Sequence, residues 1–370
     1  MPRNRTHLLA PLALLAALVA SQSPAPATRP AATAPAGPAA SSAPAASAGS
    51  TAAPRELRTV YVGDLGILTT AALYVAIEKG YFREQGIDVD LVTIDGSARA
   101  IPLLATGAMD SMVASATAGM YNAINQGIPI GIVADKATQR RDSGTVGLVV
   151  RQDLLDSGVV RILNDLRGRR IGVNTGGSAN EYQLYHILKS VGVTFNEFEL
   201  IELTLPDIMQ ALGTGRLDGA MLIEPFQTIA HRRGVASMFV RTVEVMPEYQ
   251  SGVIVYSDQF RGRDQAVTRD WMVAYLRGIR AYQDARREGI DRESIIDIMM
   301  KYTTVKDRGI YDEMTWAAFD PNGRILPESL MVEQDYYRQI GLVQQAVPME
   351  RAIDEQFIHY AVERLRPYQE

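Results

Sequence analysis

Glu224 stands where a short apolar run, Gly219–Ile223, stops against Pro225. A carboxylate at the end of a buried strand can accept a hydrogen bond from an amine, a hydroxyl or a ring N–H. It can also cap a helix or bridge two parts of the chain. Thr175-Gly176-Gly177-Ser178 offers the opposite chemistry. Small residues at a helix start leave backbone N–H groups open to an anion, and they also suit plain capping. Ser97, Ser115, Ala116 and Thr117 fall at further loop-to-helix junctions. Leu65, Gly66, Ile67 and Phe226 add apolar or glycine surface beside them. Arg99, Lys136, Arg140 and Arg141 are the cations near such junctions. The set describes a pocket for a small organic solute with an acidic group and a hydrogen-bond donor.

Catalytic signatures are missing. The chain contains no GxGxxG, no P-loop, no GxSxG and no HExxH. Its four histidines, His7, His186, His231 and His359, share no metal-ligand spacing, and it has no cysteine. That excludes disulfides, a thiol nucleophile and a cysteine metal site. Neither catalytic residues, metal nor cofactor are expected; Glu224 with Asp64 is the one acid–base pair on offer. A net charge of -5 with scattered basic residues gives no nucleic-acid surface.

These residues need elements to hold them. Two stretches repeat one grammar. Thr106-Gly107 followed by Asp110 and a short apolar run matches Thr214-Gly215 followed by Asp218 and Gly219–Ile223. Around each, strands and helices alternate β-α-β-α-β-α-β. The first copy has strands at 59–63, 87–94, 110–114 and 128–134; the second has them at 170–174, 199–203, 219–223 and 237–241. Alternation of this kind predicts an α/β fold of two doubly wound lobes with parallel sheets. Ligands then bind beyond the carboxyl ends of the strands, in a cleft between the lobes. Two further strand runs, Val146–Leu154 and Val253–Phe260, flank the second copy and are expected to join the lobes as crossover strands. Lobe 1 is then 57–148 with 253–370, and lobe 2 is 149–252. Helices are expected at 266–288, 293–302, 311–318, 329–340 and 353–365, packed on lobe 1.

Residues 1–21 have a basic start (Arg3, Arg5), an apolar stretch and small residues at Val19-Ala20-Ser21, the pattern of a secretory signal peptide. Residues 22–56 are almost wholly Ala, Pro, Ser, Thr and Gly and read as a disordered tether.

Tyr74–Phe82 with Gln85–Val89, Thr106-Gly107-x-x-Asp110, Leu166–Val173, Gly215-x-x-Asp218, Glu224-Pro225 and Asp320-Pro321-Asn322-Gly323 resemble one known family. It comprises extracytoplasmic solute-binding proteins of ABC importers, in the nitrate/sulfonate/taurine/bicarbonate and thiamine-precursor group. The resemblance implies a type II periplasmic-binding-protein fold that closes on its ligand by hinge motion. It further implies a monomer in the periplasm with a membrane permease as partner. By resemblance, Leu65, Gly66, Ser97, Ser115–Thr117, Gly177, Ser178 and Glu224 fall where the family contacts its ligands. The alternatives are a cofactor-biosynthesis enzyme on the same fold and a periplasmic ligand sensor. Related thiamine-pyrimidine synthases carry a cysteine-rich motif and a reactive histidine. The absence of cysteine here, with no histidine on a rim loop, departs from them.

Overall fold

The computed structural model describes residues 57–174, 176–263 and 265–369. The signal and tether segments and Thr175 lie outside the described residues. Short apolar runs form the strands, and each except Ile130–Arg140, which leads straight into the strand Val146–Arg151, is followed by a helical segment. β1 (Arg58–Asp64), β2 (Ile87–Thr93), β3 (Ser111–Ala114), β4 (Ile130–Arg140) and β10 (Glu248–Ser257) make the first sheet, in the order β2-β1-β3-β10-β4. β5 (Val146–Arg151), β6 (Arg170–Val173), β7 (Glu199–Glu202), β8 (Gly219–Ile223) and β9 (Ala236–Arg241) make the second, in the order β7-β6-β8-β5-β9. The two orders are equivalent, as the repeated grammar implies.

The sheets are mixed rather than parallel. β10 runs antiparallel to β3 and β4, and β5 runs antiparallel to β8 and β9. The reason is geometric. The other strands of each sheet end at the edge facing the other lobe. A chain arriving from that lobe enters at the same edge and has to run backwards. Val146–Arg151 is therefore interior to the second sheet, and Val253–Ser257 is interior to the first. The chain crosses at residues 141–144 and again at 246–247, after the short helix Thr242–Val245 that packs against β5 and β9 of the second sheet.

β4 also runs further than the apolar pattern predicts. Its polar second half stays paired with β10 as far as Arg140 opposite Glu248. A side-chain network makes this possible. The Asp135 carboxylate accepts from Thr138 Oγ1 (2.9 Å), Gln250 Nε2 (2.5 Å) and the Asp320 amide (2.8 Å). The expected helix over 311–318 is shorter, Arg308–Glu313. The chain beyond it runs along β4, whose Thr138 and Asp135 amides donate to the Ala318 and Gly323 carbonyls at 3.1 and 3.0 Å. Unpaired edge amides of β4 outweigh helix propensity there.

The largest apolar cluster lies under the first sheet. It joins the Ala71–Glu78 helix to the long Gln265–Glu288 helix around Trp271, Tyr275 and Leu276. A Cβ at Gly278 would fall 2.2 Å from the Ala72 carbonyl oxygen, so glycine is what allows these helices to cross so closely. No helix among the described residues is long and apolar enough to cross a membrane.

Candidate functional site

The strand ends of the first sheet form one rim. Asp64 closes β1 and organises the loop after it. Its Oδ1 accepts from the Gly66 amide at 3.0 Å, and its Oδ2 accepts from the Tyr74 hydroxyl at 2.6 Å. Gly66 has φ +65°, a left-handed conformation that glycine adopts without strain. Leu65 packs on the neighbouring apolar cluster, and Ile67 is half-buried. Ser97 opens the Ser97–Ala105 helix, and its Oγ accepts from the Ser115 amide at 3.1 Å, tying two rim loops together. Ala116 is buried, and Thr117 caps the Ala118–Asn125 helix by accepting from the Met120 amide. Thr69 sits in the helical turn Leu68–Thr70 that packs against β4; it is 4% exposed, and its hydroxyl has no partner.

The second rim comes from the other sheet. Gly177, at φ +65°, donates its amide to Glu181 Oε2 at 2.7 Å. A Cβ added there would lie 2.8 Å from Leu342 Cδ1 and 3.7 Å from the Ala118 Cβ. This second-lobe loop thus rests against the first lobe, and only glycine fits. Ser178 is half-buried and leads into the Ala179–Lys189 helix. That helix is itself shared between the lobes. Glu181 Oε1 accepts from Tyr336 on the Pro327–Gln339 helix at 2.9 Å, and Tyr182 packs on Tyr249 and Tyr336 at 5.5 and 5.3 Å.

Glu224 is 6% exposed, and three protein donors engage it. The Thr228 amide and hydroxyl reach its carboxylate at 3.2 and 2.9 Å, and the Thr315 amide reaches it at 3.3 Å. The Thr228 amide is a first-turn donor of the Phe226–Arg232 helix; the Thr315 amide comes from the first lobe. Burial raises its carboxyl above the usual range, and these hydrogen bonds work against that rise. Phe226 packs into the second lobe's own apolar cluster beside Ile208 and Leu212. Ser97 and Ser115 are thus brought together, as are Gly177 and the start of the helix after Thr117. Glu224 meets Thr315, and Phe226 stands with the lobe core.

Of the four cations named from sequence, Arg99 is exposed and paired with Asp95, Arg140 pairs with Asp320, and Arg141 is exposed. Lys136 differs. It follows Asp135, which lies level with Val253 and hence with Ala114, the last residue of β3. Its side chain crosses Gly252, where a Cβ would meet Lys136 Cδ at 2.3 Å and the Ala114 carbonyl oxygen at 3.1 Å. It is 2% exposed. Burial pulls its ammonium down to about 8, while the Asp64 and Asp135 charges work against that shift. In sequence Lys136 is one of four cations near strand ends, just after the strand at 128–134. Its burial depends on a glycine far along the chain. Among the described residues no group of three or more His, Cys, Asp or Glu side chains is placed to hold a metal ion.

This geometry sets the strand ends of two equivalent sheets against each other, bridged by Glu224 and Glu181, with a cation buried at the level where β3 ends. The family model "NMT1/THI5 like" matches residues 68–287, more than half of the chain. The chain belongs to the NMT1/THI5-like family. It is 27% identical over 209 residues to the formylaminopyrimidine-binding protein of Halalkalibacterium halodurans, covering 56% of this chain and 60% of that one. It is 25% identical over 167 residues to a 4-amino-5-hydroxymethyl-2-methylpyrimidine phosphate synthase of Aspergillus parasiticus, covering 45% of this chain and 46% of that one. The chain spans about half the length of the curated relatives it matches. Among solved structures, the ligand-binding component of an ABC-type import system from Staphylococcus aureus superposes with a TM-score of 0.68 at 15% identity, covering 82% of this chain and 99% of that one. The periplasmic aliphatic sulphonate binding protein of Escherichia coli gives 0.66 at 14% identity, over 80% and 92% of the two chains. The NMT1/THI5-like chain thus has the type II periplasmic-binding-protein fold, two lobes with a cleft between them.

Proposed function

We propose that this NMT1/THI5-like protein captures a small organic solute bearing an acidic group in its interlobe cleft and delivers it to an ABC importer. The observation that carries this reading is the meeting of strand-end loops from both sheets, with Gly177 seated on Ala118 and Glu224 accepting from Thr315. Such an arrangement encloses a ligand when residues 149–252 move as one lobe against 57–148 and 253–370. The names of its relatives and structural neighbours, a pyrimidine-binding protein and import components among them, support it. Periplasmic residence, export by the N-terminal signal, a monomeric state and a permease partner belong to the same proposal. So does ligand contact by Leu65, Gly66, Ile67, Ser97, Ser115, Ala116, Thr117, Thr175, Gly177, Ser178, Glu224 and Phe226.

One relative is a synthase, which favours a second reading as an enzyme of cofactor biosynthesis. That reading requires a free acid–base group in the cleft, whereas Asp64 and Glu224 are both engaged by protein donors. Native mass spectrometry of protein purified without refolding separates the two readings, followed by thermal-shift screening against carboxylates, sulfonates and thiamine precursors. Solute capture predicts a bound compound that leaves unchanged. Failure of the whole panel to stabilise the protein, with nothing co-purifying, rejects it.

A further inference from the structure

Lys136 is buried at the level where β3 ends, and it makes no hydrogen bond and no ion pair within 4.0 Å among the described residues. The two carboxylates that face it are committed elsewhere. Asp64 on β1 is held by the Gly66 amide and the Tyr74 hydroxyl; Asp135 on β4 is held by Thr138, Gln250 and the Asp320 amide. An ammonium held largely out of water without a protein partner destabilises the empty protein. The surroundings nonetheless hold it there. Gly252 clears the path of its side chain, and Thr69, in the turn packed on the same strand, presents a buried hydroxyl that also lacks a partner.

We propose that Lys136 is the specificity-determining anchor of the cleft, and that its counter-ion is the single carboxylate or sulfonate group of the solute. The inference rests on the solute-binding reading and deepens it. The solute has to be an anion, and a neutral heterocycle of the same size is rejected because it leaves the ammonium unpaired. The unpaired charge also makes the empty protein less stable than it would be with an apolar side chain at this position.

The test compares the whole chain with Lys136→Met and Lys136→Arg. Isothermal titration is run with a panel of small monocarboxylates and monosulfonates, beside neutral 4-amino-5-hydroxymethyl-2-methylpyrimidine. The expected result is that an acid of the panel binds the unaltered protein and the pyrimidine does not. Lys136→Met then lowers affinity for that acid at least a hundredfold, Lys136→Arg retains part of it, and the ligand-free Lys136→Met protein unfolds at a higher temperature than its parent. Unchanged affinity for the acid in Lys136→Met overturns the inference and leaves solute capture standing, as does binding of the pyrimidine alone. A ligand-free Lys136→Met protein that unfolds at a lower temperature also overturns it, since Lys136 is then structural. Absence of binding by either class to the unaltered protein overturns the anchor, and solute capture falls with it when nothing co-purifies with the protein either.

Discussion

The Tyr336 hydroxyl donates to Glu181 across the cleft at 2.9 Å, while the other oxygen of the same carboxylate holds the Gly177 amide at 2.7 Å. One side chain thereby orders a rim loop of its own lobe and fastens it to the opposite lobe. Glu181 is buried, so its partners decide whether the lobes rest together.

Tyr336→Phe removes the bridging donor and leaves the loop contact. A net hydrogen bond of this kind is worth about 1 kcal/mol. The expected outcome is a ligand-free protein less stable by about 1 kcal/mol, with ligand binding weakened by up to about fivefold where the bound state relies on the same bond. Titration calorimetry and differential scanning calorimetry on the same preparations read both quantities.

Glu224→Gln places an amide nitrogen against the Thr228 amide and hydroxyl or against the Thr315 amide. Loss of either the Thr228 amide bond or the interlobe bond should lower stability by about 1–2 kcal/mol. That change is visible in urea unfolding at constant slope. An affinity loss well beyond this amount means that Glu224 also touches the solute; unchanged affinity means that its part is structural.

Gly252→Ala drives a methyl into Lys136 Cδ and toward the Ala114 carbonyl oxygen. The lysine has to leave its path across β10. Affinity for an anionic ligand is expected to fall at least tenfold, in the same direction as in Lys136→Met, though residue 252 carries no charge in either protein. Titration of the two variants with the same ligand makes the comparison.

Two buried groups give pH signatures of opposite sign. Burial lowers the Lys136 ammonium from 10.5 to about 8. Its folded value lies below its unfolded value, so the ligand-free protein gains stability from this group as pH rises from about 8 toward 10.5. The gain is missing in Lys136→Met. Anion affinity follows the charged form and declines above about pH 8. Burial raises the Glu333 carboxyl from 4.5 to about 8, although Tyr337 donates to its Oε1 at 2.7 Å. Its folded value lies above its unfolded value, so stability present below pH 4.5 is lost as pH rises to about 8. Glu333→Gln should therefore raise the unfolding temperature at pH 8 more than at pH 5. Thermal scans across this range, each variant against its parent, check both signs.

Much of the architecture is written locally in the sequence. Gly80, Gly127, Gly192 and Gly234 mark helix ends, and runs such as Gly219–Ile223 mark strands, because capping and side-chain alternation are short-range properties. Strand direction is not. The periodicity of Val146–Arg151 is the same whichever way it runs, and its reversal follows from where the chain enters the sheet. The polar half of β4 reads as a loop because Asp135 is made acceptable by Gln250 and Asp320, both distant in sequence. At the site, the junction residues Ser97, Ser115, Thr117 and Gly177 were visible as small residues at strand ends. The engagement of Glu224 by Thr315 and the isolation of Lys136 beneath Gly252 are products of tertiary contact alone.

The placement of β10 has a consequence for how the molecule is assembled on the ribosome. The second sheet is drawn entirely from Val146 to Arg241, whereas the first needs Glu248–Ser257 between β3 and β4 before it can close. A nascent chain that has not yet reached Glu248 holds every strand of its later lobe, yet its earlier lobe still lacks a central strand. The half made first is finished last.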